Sequence, residues 1–221
     1  QFEIVKRTFT ITGDTHSHTY NGGTQTITGT SVTNLLDGHT LSGISYSASG
    51  ADVGTYPGTF SGSFKVTDAL GNDVSSNYSL ETIPGKLTIE YKSVRVTAND
   101  LTVAYGDAVS LSAKVEGTFN SDTVSFDLIR ESGDNVGTYA ITPSGATTQG
   151  NYLVSYVKGT LTIDYRDVTI TTLNGSKTYG DIDPALSASV SGLLGSDVVD
   201  YSVDRIAGGA VGTYSIIATG E

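Results

Sequence analysis

The chain has 221 residues, a formal net charge of −11, and no Cys, Met or Trp. The missing cysteines exclude disulfides and thiolate metal sites, and the acidic balance works against binding to nucleic acid or an anionic membrane surface, since phosphate contacts need clustered Lys and Arg. The 27 glycines and four prolines, with abundant Thr, Ser and Val, indicate short strands joined by tight turns.

The first ten or so residues already show that the chain is repetitive. Residues 2–11 align without gaps with residues 87–96 and with residues 161–170. Such internal similarity predicts a tandem array. The predicted parts are the last strand of a preceding module at 1–6, module 1 at 7–91, module 2 at 92–165 and module 3 at 166–221.

A basic residue opens each module: Arg7, Lys92 and Arg166. We interpret these as solvated or salt-bridged junction residues, because isolated surface charges are ordinary. No Gly/Ser-rich or Pro-rich linker separates the modules, so we expect an extended, stiff rod. The strand alternation slips between Tyr91 and Val94, which predicts a strand that is bent or handed from one core to the next.

Module 1 contains the histidines and some extra length. Asp14, His16 and His18 alternate, a spacing compatible with a metal site and equally with an exposed polar strand; no further ligand can be placed, so we predict no metal. The third histidine is His39. The extra length falls within residues 60–69, and loops on a rigid sheet are where binding usually resides.

Two groups of acidic turns offer oxygen ligands of the kind calcium accepts. Their spacing does not match the twelve-residue calcium loop, and Asp and Asn also cap turns by bonding their own backbone, so we favour turns. Calcium binding stays open at this point. The residues are Asp68, Asn72 and Asp73 in module 1, and Asp181 and Asp183 in module 3.

Module 2 shows period-2 alternation typical of half-buried strands. It predicts about seven short strands and an all-β fold of small tandem modules, sandwich-like; the alternative is a β-grasp-like sheet with one short helix near Leu193. The inward positions are 94 and 96; 101, 103 and 105; 111, 113 and 115; 124, 126 and 128; 139 and 141; 152, 154 and 156; and 161, 163 and 165.

Module 3 lacks a counterpart of residues 151–165, which predicts an unpaired strand edge. Three interpretations stay open. The module is truncated, its last part is disordered, or a strand from another chain completes it by β-augmentation.

The letters Val-Gly-Thr-Tyr occur three times, at residues 53–56, 136–139 and 211–214. Tyr20, Tyr105 and Tyr179 also correspond. Aromatic rings can stack on sugars, but repeated tyrosines with strand parity favour a core position with the hydroxyl tied to a turn. The serines lack a neighbouring His and acid, and the glycines form no phosphate loop, so no enzyme is predicted.

The ordered motifs Tyr-Gly-Asp (179–181), Val-Gly-Thr-Tyr, Gly-Asn-Tyr (150–152) and Gly-Thr-Leu-Thr-Ile (159–163) resemble the MBG-type repeats of large bacterial surface proteins. Module 1 looks like a variant with Tyr-Asn-Gly (20–22). The resemblance implies an extracellular, β-rich, non-catalytic module on a bacterial cell surface or cell wall. It brings no catalytic, cofactor or metal residue with it.

Two functions follow as hypotheses. The first is a stalk or spacer of a surface adhesin, whose partners are the neighbouring modules. The alternative is direct binding of a host glycoprotein, a glycan or a cell-wall polysaccharide through the module 1 loops. Neither nucleic acid binding nor membrane insertion is expected.

Overall fold

The computed structural model describes residues 1–220, and its regular elements are 21 β-strands and one 3-10 turn, Ser75–Asn77. Within residues 1–220 there is no α-helix, so the all-β prediction is confirmed. Leu193 lies in no regular element, and Leu194 begins a hydrogen-bonded turn in which the Asp197 amide donates to the Leu194 carbonyl at 2.9 Å. The short helix of the β-grasp-like alternative is therefore wrong.

Module 1 contributes nine strands: β1 (Arg7–Gly13), β2 (His16–Thr19), β3 (Gln25–Ile27), β4 (Thr30–Thr33), β5 (Thr40–Gly50), β6 (Gly54–Pro57), β7 (Thr59–Thr67), β8 (Tyr78–Ile83) and β9 (Lys86–Glu90).

Module 2 contributes eight strands: β10 (Lys92–Ala98), β11 (Leu101–Ala104), β12 (Ala113–Glu116), β13 (Asp127–Arg130), β14 (Gly137–Ser144), β15 (Thr148–Gln149), β16 (Tyr152–Val157) and β17 (Gly159–Asp164). Val124 is buried as predicted but precedes β13. Module 3 contributes β18 (Thr169–Thr172), β19 (Ala188–Ser191), β20 (Tyr201–Arg205) and β21 (Ile216–Gly220).

Modules 1 and 2 share one pairing scheme that makes two sheets each. In the first sheet, the opening strand pairs parallel with the penultimate strand (β1 with β8, β10 with β16) and antiparallel with a short strand (β4, β12). In the second sheet, the last strand pairs parallel with the module's second strand (β2 with β9, β11 with β17) and antiparallel with the Val-Gly-Thr-Tyr strand (β6, β14).

The compact units are divided differently from the sequence repeats. Residues 1–99, 112–129 and 142–158 form unit 1; residues 100–111 and 130–141, with the chain from Gly159 onward, form unit 2.

Unit 1 contains two apolar cores. The first, the junction core, combines side chains from the second sheet of module 1 with side chains from the first sheet of module 2. The second, the hairpin core, belongs to module 1 alone and packs Phe9, Ile11, Val66 and Tyr78 beneath the β5–β7 hairpin.

The slip at the module boundary corresponds to a change of sheet. β9 ends at Glu90 and β10 begins at Lys92, yet Leu87 and Ile89 of the former and Val94 and Val96 of the latter all lie in the junction core. The chain therefore passes between two sheets that face one core, and the predicted transfer from one core to the next is wrong. Tyr91 absorbs the slip and is 45% exposed. Tyr165, assigned inward above, is likewise exposed.

The β5–β7 hairpin serves both cores of unit 1. Its pairing shifts register between Ser42 and Ile44, at Gly43 (φ +76°) and Gly62 (φ +89°). A Cβ on Gly43 would lie 2.4 Å from the Ser63 carbonyl oxygen, and one on Gly62 would lie 2.3 Å from the Gly43 carbonyl oxygen. Glycine at both positions permits a bulge that bends the hairpin.

Unit 2 contains β11, β17 and residues 137–141 of β14, together with two two-stranded sheets, β18-β19 and β20-β21. Its buried apolar side chains are Ile141, Leu161 and Ile163. Residues 211–214 of module 3 form no strand, whereas the same four letters reach into β6 and β14. The Val-Gly-Thr-Tyr strand pairs with β9 in module 1 and with β17 in module 2.

Candidate functional site

The Val-Gly-Thr-Tyr segments fold into the same pinned turn three times. In each, the tyrosine hydroxyl donates to the backbone carbonyl four residues earlier: Tyr56 to Asp52 at 2.8 Å, Tyr139 to Asn135 at 2.8 Å and Tyr214 to Ala210 at 2.9 Å. The prediction that this hydroxyl is tied to a turn is confirmed. Each ring is half-buried rather than fully enclosed in a core.

A glycine six residues before each tyrosine completes this turn. A Cβ on Gly50, Gly133 or Gly208 would lie 2.2, 2.2 or 1.9 Å from the ring of the tyrosine that follows it. Each ring therefore covers a bare backbone position that no other residue could provide. The spacing Gly-x-x-Val-Gly-Thr-Tyr is present in all three copies, and the sequence reasoning missed it. We call these segments, 50–56, 133–139 and 208–214, the tyrosine turns.

A side chain of module 2 holds the tyrosine turn of module 1. Asn151 of Gly-Asn-Tyr donates from its amide to Asp52 Oδ1 at 2.8 Å, and its Oδ1 accepts from the Val53 amide at 2.8 Å. The Asn151 amide thus forms hydrogen bonds with both the side chain of Asp52 and the backbone of Val53, which lie 99 and 98 residues away in the sequence. The equivalent Asn77 of module 1 is exposed, and within residues 1–220 its side chain makes no comparable bond.

The Tyr-Asn-Gly and Tyr-Gly-Asp turns also contact the module that follows them. The Asn120 amide donates to the Gly22 carbonyl at 2.6 Å, inside unit 1. In unit 2, a Cβ on Gly106 would lie 1.9 Å from Leu194 Cδ1. Both glycines have left-handed backbone, with φ of +80° and +81°. Two different repeat motifs therefore lie at the contacts between sequence modules.

The tyrosines of these turns become less buried along the chain. Tyr20 is buried in the junction core, Tyr105 is half-buried and Tyr179 is 75% exposed. The core assignment is thus confirmed for Tyr20 and wrong for Tyr179.

Tyr20 and Tyr152 converge on one carboxylate in unit 1. The Tyr152 hydroxyl donates to Asp122 Oδ2 at 2.6 Å and accepts from the Phe119 amide, and the Tyr20 hydroxyl donates to the same Oδ2 at 3.4 Å. Burial, followed by the hydrogen bond to Asp122, raises the pKa of Tyr152 to about 12. The arrangement keeps the phenol protonated and fixes the 119–122 turn, which is a structural role.

The basic residues that open the modules make junction contacts. Arg166 pairs with Asp107 at 2.9 Å and donates to the carbonyls of Tyr105 and Gly192. Arg7 donates to the Asn34 carbonyl at 2.7 Å, the contact equivalent to that with Gly192. Lys92 lies 5.5 Å from the centre of the Phe119 ring. The salt-bridged junction interpretation is confirmed for Arg166.

The histidines are not gathered into one cluster. His16 Nε2 lies 3.6 Å from Asp14 Oδ2, and the rings of His16 and His18 are 6.2 Å apart. His39 is elsewhere, bonded through Nδ1 to the Tyr78 hydroxyl at 2.9 Å. Among residues 1–220, no group of three or more His, Cys, Asp or Glu side chains is placed to hold a metal ion.

The acidic turns use their oxygens internally. Asp68 accepts from the amides of Leu70 and Asn72 and from the Asn72 side chain, whose hydrogen bond is the largest cause of a lowered Asp68 pKa. Asp183 pairs with Lys177 at 2.7 Å and with Arg205 at 2.8 Å. Arg205 and then Lys177 lower the pKa of Asp183 to about 2. A calcium ion would have to displace these partners.

The extra length of module 1 is mostly a core element. Phe60, Phe64 and Val66 of β7 pack inward on the two cores of unit 1. The loop that follows carries Leu70, 88% exposed, at its tip. The binding loop considered from sequence is thereby reduced to residues 68–73.

Unit 1 and unit 2 each contain a cavity. One of about 170 Å³ in unit 1 has an apolar lining of Ile11, Val32, Leu41, Ile44 and Phe60, edged by hydroxyl groups and without a titratable side chain. The other, of about 310 Å³ in unit 2, lies beside the Tyr105–Asp107 turn, where the Asp107 carboxylate is paired with Arg166. Neither combines a nucleophile with a general base.

These features define a class: an all-β tandem-repeat protein whose repeated motifs form turns and junctions. The family model described as MBG domain (YGX type) matches residues 94–162 and 168–221, more than half of the chain. The chain belongs to the MBG domain family. Domains of this family occur in surface proteins and are generally non-catalytic structural or adhesion modules.

A search of curated proteins finds no match to the chain. Within residues 1–220, no helix has the length and apolar character needed to span a membrane.

Proposed function

We propose that this chain is a stalk segment of a bacterial surface adhesin, located outside the cell at the cell surface or cell wall, where it holds a binding domain away from the cell. The observation that carries the proposal is the use of the repeated motifs. The tyrosine turns, the Gly-Asn-Tyr segment and the Tyr-Asn-Gly and Tyr-Gly-Asp turns connect modules or pin turns. Residues repeated for such contacts serve length and stiffness rather than recognition.

Small-angle X-ray scattering of the intact chain tests the spacer role. A compact protein of 221 residues is expected to have a radius of gyration of about 17 Å. An extended, stiff array of the same number of residues gives a clearly larger radius of gyration and a larger maximum dimension. A compact envelope would contradict the stalk proposal.

A second candidate is glycan or glycoprotein binding through the module 1 loop. It is favoured by one observation, the nearly fully exposed Leu70 at the tip of a loop whose backbone is fixed by Asp68. A glycan array and a mucin-binding assay with the intact chain distinguish the two functions. Saturable binding that is lost on Leu70→Ser, with an unchanged circular dichroism spectrum, would replace the stalk by a direct binding role.

A further inference from the structure

We propose that each tyrosine turn is a receptor for the asparagine of a Gly-Asn-Tyr segment from the next MBG module, and that the turns at 133–139 and 208–214 are receptors of the same kind, open among residues 1–220. The inference goes beyond a stalk role, because it names a docking surface and its partner. Each of the two proposals can fail while the other holds, because hydrogen exchange tests the receptor and X-ray scattering tests the stalk.

The filled example lies in unit 1. The Val53 amide and the Asp52 carboxylate point to the same side of the turn and are both bonded to Asn151, at 2.8 Å each. A primary amide offers a donor and an acceptor in one plane, as these two groups require. The receptor is held in advance, since the Tyr56 hydroxyl bonds the Asp52 carbonyl and the ring covers Gly50.

The other two turns are pinned by the same tyrosine contacts but have no such occupant. Among residues 1–220, neither the Val136 nor the Val211 amide donates a hydrogen bond to a protein atom. Val211 is 89% exposed and Val136 is 39% exposed. The amide that Asn151 binds in the first turn is therefore free in both.

The three receptors differ in the residue that precedes the valine, and this residue sets their expected affinity for asparagine. Asp52 and Asn135 each offer a side-chain oxygen to the incoming amide, whereas Ala210 offers none. A second asparagine can therefore form both bonds at the middle turn and only the backbone bond at the last. The expected order of affinity is first turn, middle turn, last turn.

Hydrogen exchange read at individual amides tests the filled receptor in the intact chain. Asn151→Ala should speed exchange of the Val53 amide about tenfold, since one hydrogen bond of this kind is removed. Asp52→Ala, which copies the last turn, should have a smaller effect. Asn77→Ala is the matched control and should leave Val53 unchanged. Equal effects of Asn151→Ala and Asn77→Ala would overturn the proposal.

An extension of the chain tests an open receptor. A second copy of residues 147–165 is added after Glu221, which supplies a Gly-Asn-Tyr segment in register with module 3. We expect the Val136 amide to gain protection about tenfold, and to lose it when the added asparagine is replaced by alanine. An extension that leaves Val136 exchange unchanged, or protection that survives the alanine replacement, would overturn the assignment of the partner.

Discussion

The first sheets of modules 1 and 2 are built alike but are covered differently. Both pair an opening strand parallel to the penultimate strand, and Phe9 of module 1 occupies the register position of Val94 in module 2. The module 2 sheet is covered by the second sheet of module 1, in the junction core. The module 1 sheet is covered by its own β5–β7 hairpin. A module of this family can thus bury the same face against a neighbour or against itself.

The two cores are built from similar kinds of side chain. The hairpin core holds three aromatic rings in edge contact, Phe64 at 5.3 Å and Tyr78 at 5.8 Å from Phe9. The junction core also has aromatic edge contacts, with the Tyr20 ring 6.1 Å from Phe119 and 5.5 Å from Tyr152, and it adds Val and Leu side chains and a hydrogen-bonded Tyr–Asp cluster. Each core also contains a hydrogen-bonded tyrosine, Tyr78 with His39 in the hairpin core and Tyr152 with Asp122 in the junction core.

The largest effect should come from emptying the hairpin core. Phe9 is fully buried, so Phe9→Ala should lower the free energy of unfolding by about 3–5 kcal/mol, whereas Val94→Ala should cost about 2 kcal/mol. Urea denaturation followed by far-UV circular dichroism measures both. In hydrogen exchange, Phe9→Ala should weaken protection in β5 and β7 before it affects β9 and β10. If Val94→Ala and Phe9→Ala weaken the protection of these strands in the same order, the first sheets of modules 1 and 2 are not covered by different elements.

The bend in the hairpin gives the next prediction. Gly62→Ala places a Cβ against the Gly43 carbonyl at a positive φ, and we expect a loss of about 1–3 kcal/mol in the free energy of unfolding. Gly71→Ala is the control for the dihedral alone, because its φ is +85° and nothing lies within 4 Å of the added atom. Thermal unfolding compares the two. If both variants lose equal stability, the close approach at the bulge contributes nothing.

Much of this fold could be predicted from the sequence, and the covering of the sheets could not. Period-2 alternation marks Leu87, Ile89, Val94 and Val96 as inward, but it does not say which sheet faces which. The same letters at Asn77 and Asn151 have different surroundings among residues 1–220, where Asn151 bonds the tyrosine turn of module 1. The glycine before each tyrosine turn is visible as a fixed spacing in the sequence, and a search for longer motifs would have found it.

A smaller effect should separate the two equivalent tyrosines of the Asn-Tyr motif. Tyr152 bonds Asp122 in the junction core and Tyr78 bonds His39 beside the hairpin core. Tyr152→Phe should cost about 1 kcal/mol, and it should also remove a pH dependence. Because the folded pKa is raised to about 12 from 10.0, this tyrosine stabilises the fold fully below pH 10 and loses its contribution as the pH rises to 12. Urea midpoints measured between pH 9 and 12 should fall less steeply for Tyr152→Phe than for Tyr78→Phe. Identical slopes would contradict this assignment.

Module 3 gives the comparison a third case and the smallest expected effect. Within residues 166–220 no side chain is fully buried, and an ion cluster of Lys177, Asp183 and Arg205 joins the segment before β19 to β20. The two cations lower the pKa of Asp183 from 3.8 to about 2, so its contribution is present above pH 4 and is lost as the pH falls to 2. Asp183→Asn should therefore reduce the acid dependence of protection in β20 and β21, with a small shift because the group is exposed. Hydrogen exchange between pH 2 and 5 measures it, with Asp181→Asn as the control, since Lys177 reaches the Asp181 backbone carbonyl instead of its carboxylate. If Asp183→Asn leaves the acid sensitivity of hydrogen exchange unchanged, the stability of module 3 does not depend on this ion cluster. The ion cluster would then not replace in module 3 the sheet covering on which modules 1 and 2 depend.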